Sequence, residues 1–137
     1  MALVLFDSNI IIDHTLGYSE ARSEIAAYDH AAISAITWME ACCKLNVLQR
    51  HILEIELLML GVDVIHTDDA IMHRATELRG TTRKKLPDCI IRATADVEGR
   101  VVITRDPVDF GGISNARVHM PYRIVDGAVV DVKAPVS

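Results

Sequence analysis

The chain has 137 residues, enough for one domain over 1–137, and its 14 Lys+Arg against 19 Asp+Glu give a net charge of −5. Half of it is hydrophobic and 24% is charged, which supports a packed core and excludes general disorder. Aromatic residues make up 4%, too few for a base-stacking platform, and the acidic balance taken alone counts against a nucleic-acid partner.

Residues 3–6 (LVLF) are a short apolar run without alternation, the pattern of a strand buried on both faces. A turn is expected at Asp7-Ser8-Asn9. Residues 19–29 suit a helix capped by Ser19, and residues 32–36 a second strand leading to Thr37 as the next cap. From Trp38 to Leu60 the apolar positions keep helical spacing, in one helix or two, and Gly61 ends the run. Residues 62–65 read as a strand. Asp68 and Asp69 then cap a helix to Arg79, terminated by Gly80. Pro87 suits the first position of a further helix ending before Gly99, and residues 101–103 form another buried strand. Near the end, YRIV and AVVDV flank Asp126-Gly127 as a hairpin.

The three cysteines, Cys42, Cys43 and Cys89, form no C-x-x-C pair and read as small buried thiols of a reducing compartment. The apolar start has no basic flank, and no apolar run approaches the roughly 20 residues of a membrane helix. A soluble, cytoplasmic protein is expected, with no membrane partner. The six histidines show no zinc-ligand spacing and are expected on the surface. Asp13 is expected at a helix end. The stripe Trp38, Met39, Leu45, Leu48, Ile52, Ile55 and Met59 is core or dimer interface.

Strands alternating with helices predict a largely parallel sheet covered on both faces, with its site beyond the carboxyl ends of the strands. Acids stand there. Asp7 follows the first strand, Glu40 is expected in the first turn after the second, Asp88 starts a helix beside Pro87, and Asp106 lies just past 101–103. Any one of them is explained by a turn or by the helix dipole. All four flank apolar runs, however, which puts them at the edge of the core. Four converging carboxylates need a compensating charge. Oxygen ligands without Cys or His suit Mg2+ or Mn2+, not zinc, and such an ion promotes phosphodiester hydrolysis.

The stretches LVLFDSNIIID (3–13), ISAITWMEA (33–41), KLPDCIIRATA (85–95) and VVITRDPVDF (101–110) resemble those of a PIN-domain nuclease, and within that superfamily a VapC-type toxin ribonuclease. The resemblance spans nearly the whole chain. It implies a three-layer α/β/α fold with a central, mostly parallel sheet, a Mg2+-dependent endoribonuclease acting on RNA (Mn2+ as substitute), a homodimer and a cognate antitoxin. It implies catalytic acids at Asp7, Glu40, Asp88 and Asp106, with Asp7, Asp88 and Asp106 on the metal and Glu40 reaching the ion directly or through water. Ser8 and Thr104 match supporting hydroxyls, and Asp109 an optional fifth acid. Ala41-Cys42-Cys43 departs from the family, which often has Leu and a small residue there.

Basic residues cluster beside these acids. Arg83, Lys84, Lys85 and Arg92, extended by Arg105, are expected to track RNA phosphates, although Arg92 lies one turn after Asp88 and is also placed to pair with it. Two other readings are a catalytically silent PIN-fold binding module and a PIN nuclease with no antitoxin. A phosphotransfer domain fits poorly, because the first strand is followed by Asp7-Ser8-Asn9 instead of D-x-D and no late lysine follows a strand.

Overall fold

The computed structural model describes residues 2–112, 115 and 117–137. Five strands, β1 (Val4–Phe6), β2 (Ala31–Ser34), β3 (Val62–Ile65), β4 (Val101–Ile103) and β5 (Val118–His119), form a sheet of order β3-β2-β1-β4-β5. Every neighbouring pair in it is parallel. Two further strands, β6 (Arg123–Val125) and β7 (Ala128–Val130), pair with each other, antiparallel across Asp126-Gly127, in a separate two-stranded sheet. Both turn residues have positive φ, 50° and 79°, the geometry of a tight hairpin turn.

Pleating divides the apolar strand residues between two faces. Val4, Phe6, Ile33 and Ile103 pack with α1 (Ser8–Thr15), α2 (Ser19–Ala26) and α4 (Val47–Met59) through Ile10, Ile25, Leu53 and Leu57. On the other face Leu5, Ala32 and Val102 meet Ile91 and Ala95 of α6 (Leu86–Glu98), against which α5 (Asp69–Thr81) packs. The remaining helix, α3 (Ala35–Cys42), touches both α1 and α6. The result is the expected three-layer α/β/α arrangement around a parallel sheet. No helix of the described residues is long and apolar enough to cross a membrane.

Several boundaries differ from expectation. In place of a turn after β1, Asp7 caps α1, accepting the Ser8 N–H at 2.7 Å. Tyr18, not Ser19, holds the cap position of α2, which stops at Ala26. Strand β2 ends at Ser34, whose hydroxyl caps α3, so Thr37 lies inside the helix and is buried. The region 38–60 is two helices, the second started by a reciprocal Asn46–Gln49 capping box. Helix α5 runs through Gly80 to Thr81. Strand β5 was not expected at all.

Candidate active site

The sheet order reverses at β1, with β2 and β3 to one side and β4 and β5 to the other. At such a reversal the loops leaving adjacent strands diverge and open a crevice at their carboxyl ends. Asp7 and the segment 104–106 leave β1 and β4 at that point. The Asp7 N–H donates to the carbonyl of Ile103 at 2.9 Å, which locks the two strand ends together.

Asp7 is 6% exposed. Its Oδ1 accepts the Ser8 N–H, and its Oδ2 accepts the Thr104 hydroxyl at 2.7 Å and the Asn9 side-chain amide at 3.3 Å. The Asn9 amide also reaches the Thr104 hydroxyl at 3.2 Å and Asp106 Oδ2 at 3.3 Å, while its carbonyl accepts the Arg105 N–H. The Asp106 N–H closes the loop on the Thr104 hydroxyl at 3.0 Å. Glu40 joins through Ser8, whose hydroxyl donates to Oε1 at 2.6 Å and lies 3.3 Å from the Thr37 hydroxyl. Ser8, Asn9 and Thr104 thus tie three acids from three segments into one network.

Burial pushes the Asp7 carboxyl up to about 6; the Thr104 and Ser8 hydrogen bonds oppose this, and the charges of Asp88 and Glu40 add to it. Asp88, the third residue of α6 and half-buried, is raised by burial and then by Asp109 and Glu40, against the pull of Lys85 and Lys84. So Asp88 feels the charge of the networked Glu40 as well as that of Asp109. Asp109 bridges two openings: with Asp88 it lines a small cleft, and with Asp106 a larger cavity.

Among the described residues no three His, Cys, Asp or Glu side chains lie close enough to hold an ion as they stand. The donor chemistry nevertheless fits a hard divalent cation: every acid offers oxygen, and the most buried of them is driven towards protonation by burial, with its neighbours' charge adding to this. A cation is what would keep such a group ionised.

Some expected features sit elsewhere. Glu40 is the sixth residue of α3, not in its first turn, so the helix dipole does not account for it. Asp106 is exposed instead of lying at the core's edge. Lys84 Nζ donates to the carbonyl of Val108 at 3.0 Å, and Arg92 leans 3.9 Å from Asp96 rather than towards Asp88. Arg83 and Lys85 are exposed.

Arg105 is partly exposed and is already paired. Its Nε and Nη2 clamp Asp13 at 2.7 and 3.1 Å, and Asp13 is buried instead of ending a helix at the surface. The Tyr122 hydroxyl donates to the same Asp13 Oδ2 at 2.8 Å. Burial works against the Arg105 charge, but the Asp13 hydrogen bonds and charge outweigh it. Two histidines are also enclosed: His14 packs 3.2 Å from Glu56, and the Nε2 of His119 is buried without a hydrogen-bond partner among the described residues. Cys42 and Cys89 are buried free thiols, whereas Cys43 is exposed.

Sequence reasoning passed over Asn9, the residue that joins most of the network. The available signal was a run of three cap-forming residues, Asp7-Ser8-Asn9, immediately before Ile10-Ile11-Ile12.

Among solved structures the chain is similar to a toxin–antitoxin complex from Klebsiella pneumoniae, at 37% identity over 88% of this chain and 99% of that one, with a TM-score of 0.71. It is similar in fold to DNA-bound VapBC from Salmonella typhimurium, at 22% identity, 87% and 98% coverage and a TM-score of 0.67. The likeness extends to VapBC-1 from nontypeable Haemophilus influenzae, at 23% identity, 85% and 96% coverage and a TM-score of 0.66. No curated protein matches the sequence. Residues 4–111, which contain every acid of the network, match the PIN domain, and the chain belongs to the PIN domain family.

Proposed function

We propose that the chain is a metal-dependent endoribonuclease that hydrolyses RNA phosphodiester bonds with Mg2+, or Mn2+ in its place. In this proposal it is the toxin of a toxin–antitoxin pair, a homodimer working in the cytoplasm. The observation that carries it is the hydrogen-bonded network joining Asp7, Glu40 and Asp106 at the reversal point of the sheet, with Asp88 close enough to raise the Asp7 carboxyl. A 37%-identical neighbour described as a toxin–antitoxin complex supports the partner class.

Asp7, Asp88 and Asp106 are the residues that would hold Mg2+. When bound, the ion lowers the pKa of an attacking water and stabilises the leaving oxygen. Glu40 has Oε1 fixed by the Ser8 hydroxyl, so its Oε2 is left to orient that water and accept its proton. Thr104 and Asn9 hold the Asp7 and Asp106 carboxylates in place before substrate arrives, and Asp109 adds negative charge beside Asp88. Arg83 and Lys85 steady the RNA backbone. For the homodimer, Leu48, Ile52, Ile55 and Met59 form an exposed apolar stripe along α4.

Incubation of a structured RNA with the protein in Mg2+ and in EDTA tests the enzyme. Cleavage is expected in Mg2+ alone and is lost in Asp7→Asn. Equal cutting by wild type and Asp7→Asn, or cutting indifferent to EDTA, would falsify it. For the toxin role, growth arrest on expression is expected to vanish in Asp88→Asn; arrest that persists indicates a binding mechanism.

A further inference from the structure

A cavity of about 780 Å3 opens directly beside the acids, with Asp106 and Asp109 in its wall. Its remaining lining includes two arginines, Arg105 and Arg123, the carboxylate of Asp131, and the apolar side chains of Met120 and Ile124. We propose that this cavity holds the single-stranded RNA adjoining the cleaved bond, with a backbone phosphate on Arg123 and a base against Met120 and Ile124. The proposal rests on the nuclease reading and adds the path of its substrate.

Continuity is the first argument. Asp106 belongs both to the acid network and to the cavity wall, so the cavity is continuous with the place where the scissile phosphate would lie. The volume lies within the roughly 300–1,000 Å3 typical of ligand sites.

Charge is the second. Two arginines stand in the cavity wall among three carboxylates, Asp106, Asp109 and Asp131, and each arginine is held in position by a carboxylate. Arg105 is clamped by Asp13, and Arg123 Nη1 by Asp131 at 2.8 Å. A guanidinium has five N–H donors in a rigid fork, so an oriented one retains donors for a phosphate at little further entropic cost. The Arg123–Asp131 pair is half-exposed on both sides, which lets a phosphate compete for it.

The third argument is spacing. Asp13 Oδ2 accepts from both Arg105 Nε and the hydroxyl of Tyr122, the residue before Arg123. One buried carboxylate therefore ties the segment that carries Arg105 to the segment that carries Arg123. The apolar part contains no aromatic ring, so a base there gains contact area without a stacking partner, and any base is accepted.

Fluorescence anisotropy of a short labelled single-stranded RNA, with Ca2+ in place of Mg2+ to slow cleavage, tests this across a range of salt. For Arg123→Ala, binding is expected to weaken roughly five- to tenfold, with the slope of log K on log salt shallower by about 0.7, the value of one single-strand phosphate contact. Arg123→Lys restores the slope. Asp131→Ala, which frees Arg123, binds at least as tightly as wild type, and the matching duplex shows no Arg123 effect. Wild-type affinity and slope in Arg123→Ala overturn the proposal, as does a loss of affinity in Asp131→Ala equal to that in Arg123→Ala. So does an Arg123→Ala effect confined to binding of a protein partner. Failure of wild type to cleave any RNA would instead overturn the nuclease reading itself.

Discussion

Asp13→Asn isolates the buried clamp behind the site. The carboxylate is 2% exposed and receives three donors, Arg105 Nε at 2.7 Å, Arg105 Nη2 at 3.1 Å and the Tyr122 hydroxyl at 2.8 Å. An amide of the same size offers one acceptor oxygen and no charge, so at least one donor loses its partner. Removing one member of a fully buried ion pair costs about 3–5 kcal/mol. Arg105 is 27% exposed, and water recovers part of its solvation, so the cost falls at the lower end, about 3 kcal/mol. For a chain of this length that lowers Tm by about 10 °C. Tyr122→Phe removes a single hydrogen bond and costs about 1 kcal/mol. Thermal unfolding followed by circular dichroism at pH 7 measures both. A Tm for Asp13→Asn within about 3 °C of wild type, or a larger loss in Tyr122→Phe, refutes the clamp as the dominant interaction there.

Asp7 has the opposite sign. Its folded carboxyl titrates near 6, above the ordinary value of about 3.9, so the native state binds this proton more tightly than the unfolded chain. The associated stability is fully present below about pH 4 and is lost as pH rises to about 6, a total of about 3 kcal/mol. Asp88 is shifted in the same direction. Asp7→Asn is therefore expected to be more stable than wild type at pH 7 in EDTA, with a flatter Tm between pH 4 and 6; equal or lower stability contradicts the assignment. On α4, the pair Leu48→Glu with Ile52→Glu is expected to halve the mass seen by light scattering while Tm of the resulting protomer barely changes, since both side chains are largely exposed. An unchanged mass removes α4 from the dimer contact.

Much of the fold was legible because buried parallel strands leave unbroken apolar runs, as β1 and β4 do, while the edge strand β3 still shows in its Val and Ile residues around Asp63. Helix α1 was not legible: Ile10, Ile11 and Ile12 are β-branched and mimic a strand, and the helix forms because Asp7 caps it and the core receives Ile10 and Ile11. Strand β5 spans two residues and exists only because β4 offers an edge to pair with, a fact of tertiary structure that no local pattern carries. Asp7, Asp88 and Asp106 could be picked out by position after a strand or at a helix start. Glu40 was placed one turn early, because Ser34 outcompetes Thr37 as the cap. The roles of Asn9, Asp13 and Tyr122 depend on partners distant in the chain, and their residue types fit ordinary turns and cores equally well.

The Asp7–Thr104 bond also bears on the order of events during synthesis. Asp7 leaves the ribosome well ahead of strand β4 and of Thr104 and Asn9's partner Asp106, which follow that strand. At about 5–20 residues per second the interval is several seconds. Until β4 slots in beside β1, Asp7 lacks both the Ile103 carbonyl and the Thr104 hydroxyl that hold it. A nascent or prematurely terminated chain ending before Val101 carries Asp7, Glu40 and Asp88 but no assembled centre. The network joining Asp7, Glu40 and Asp106 is thereby withheld from any copy that lacks β4.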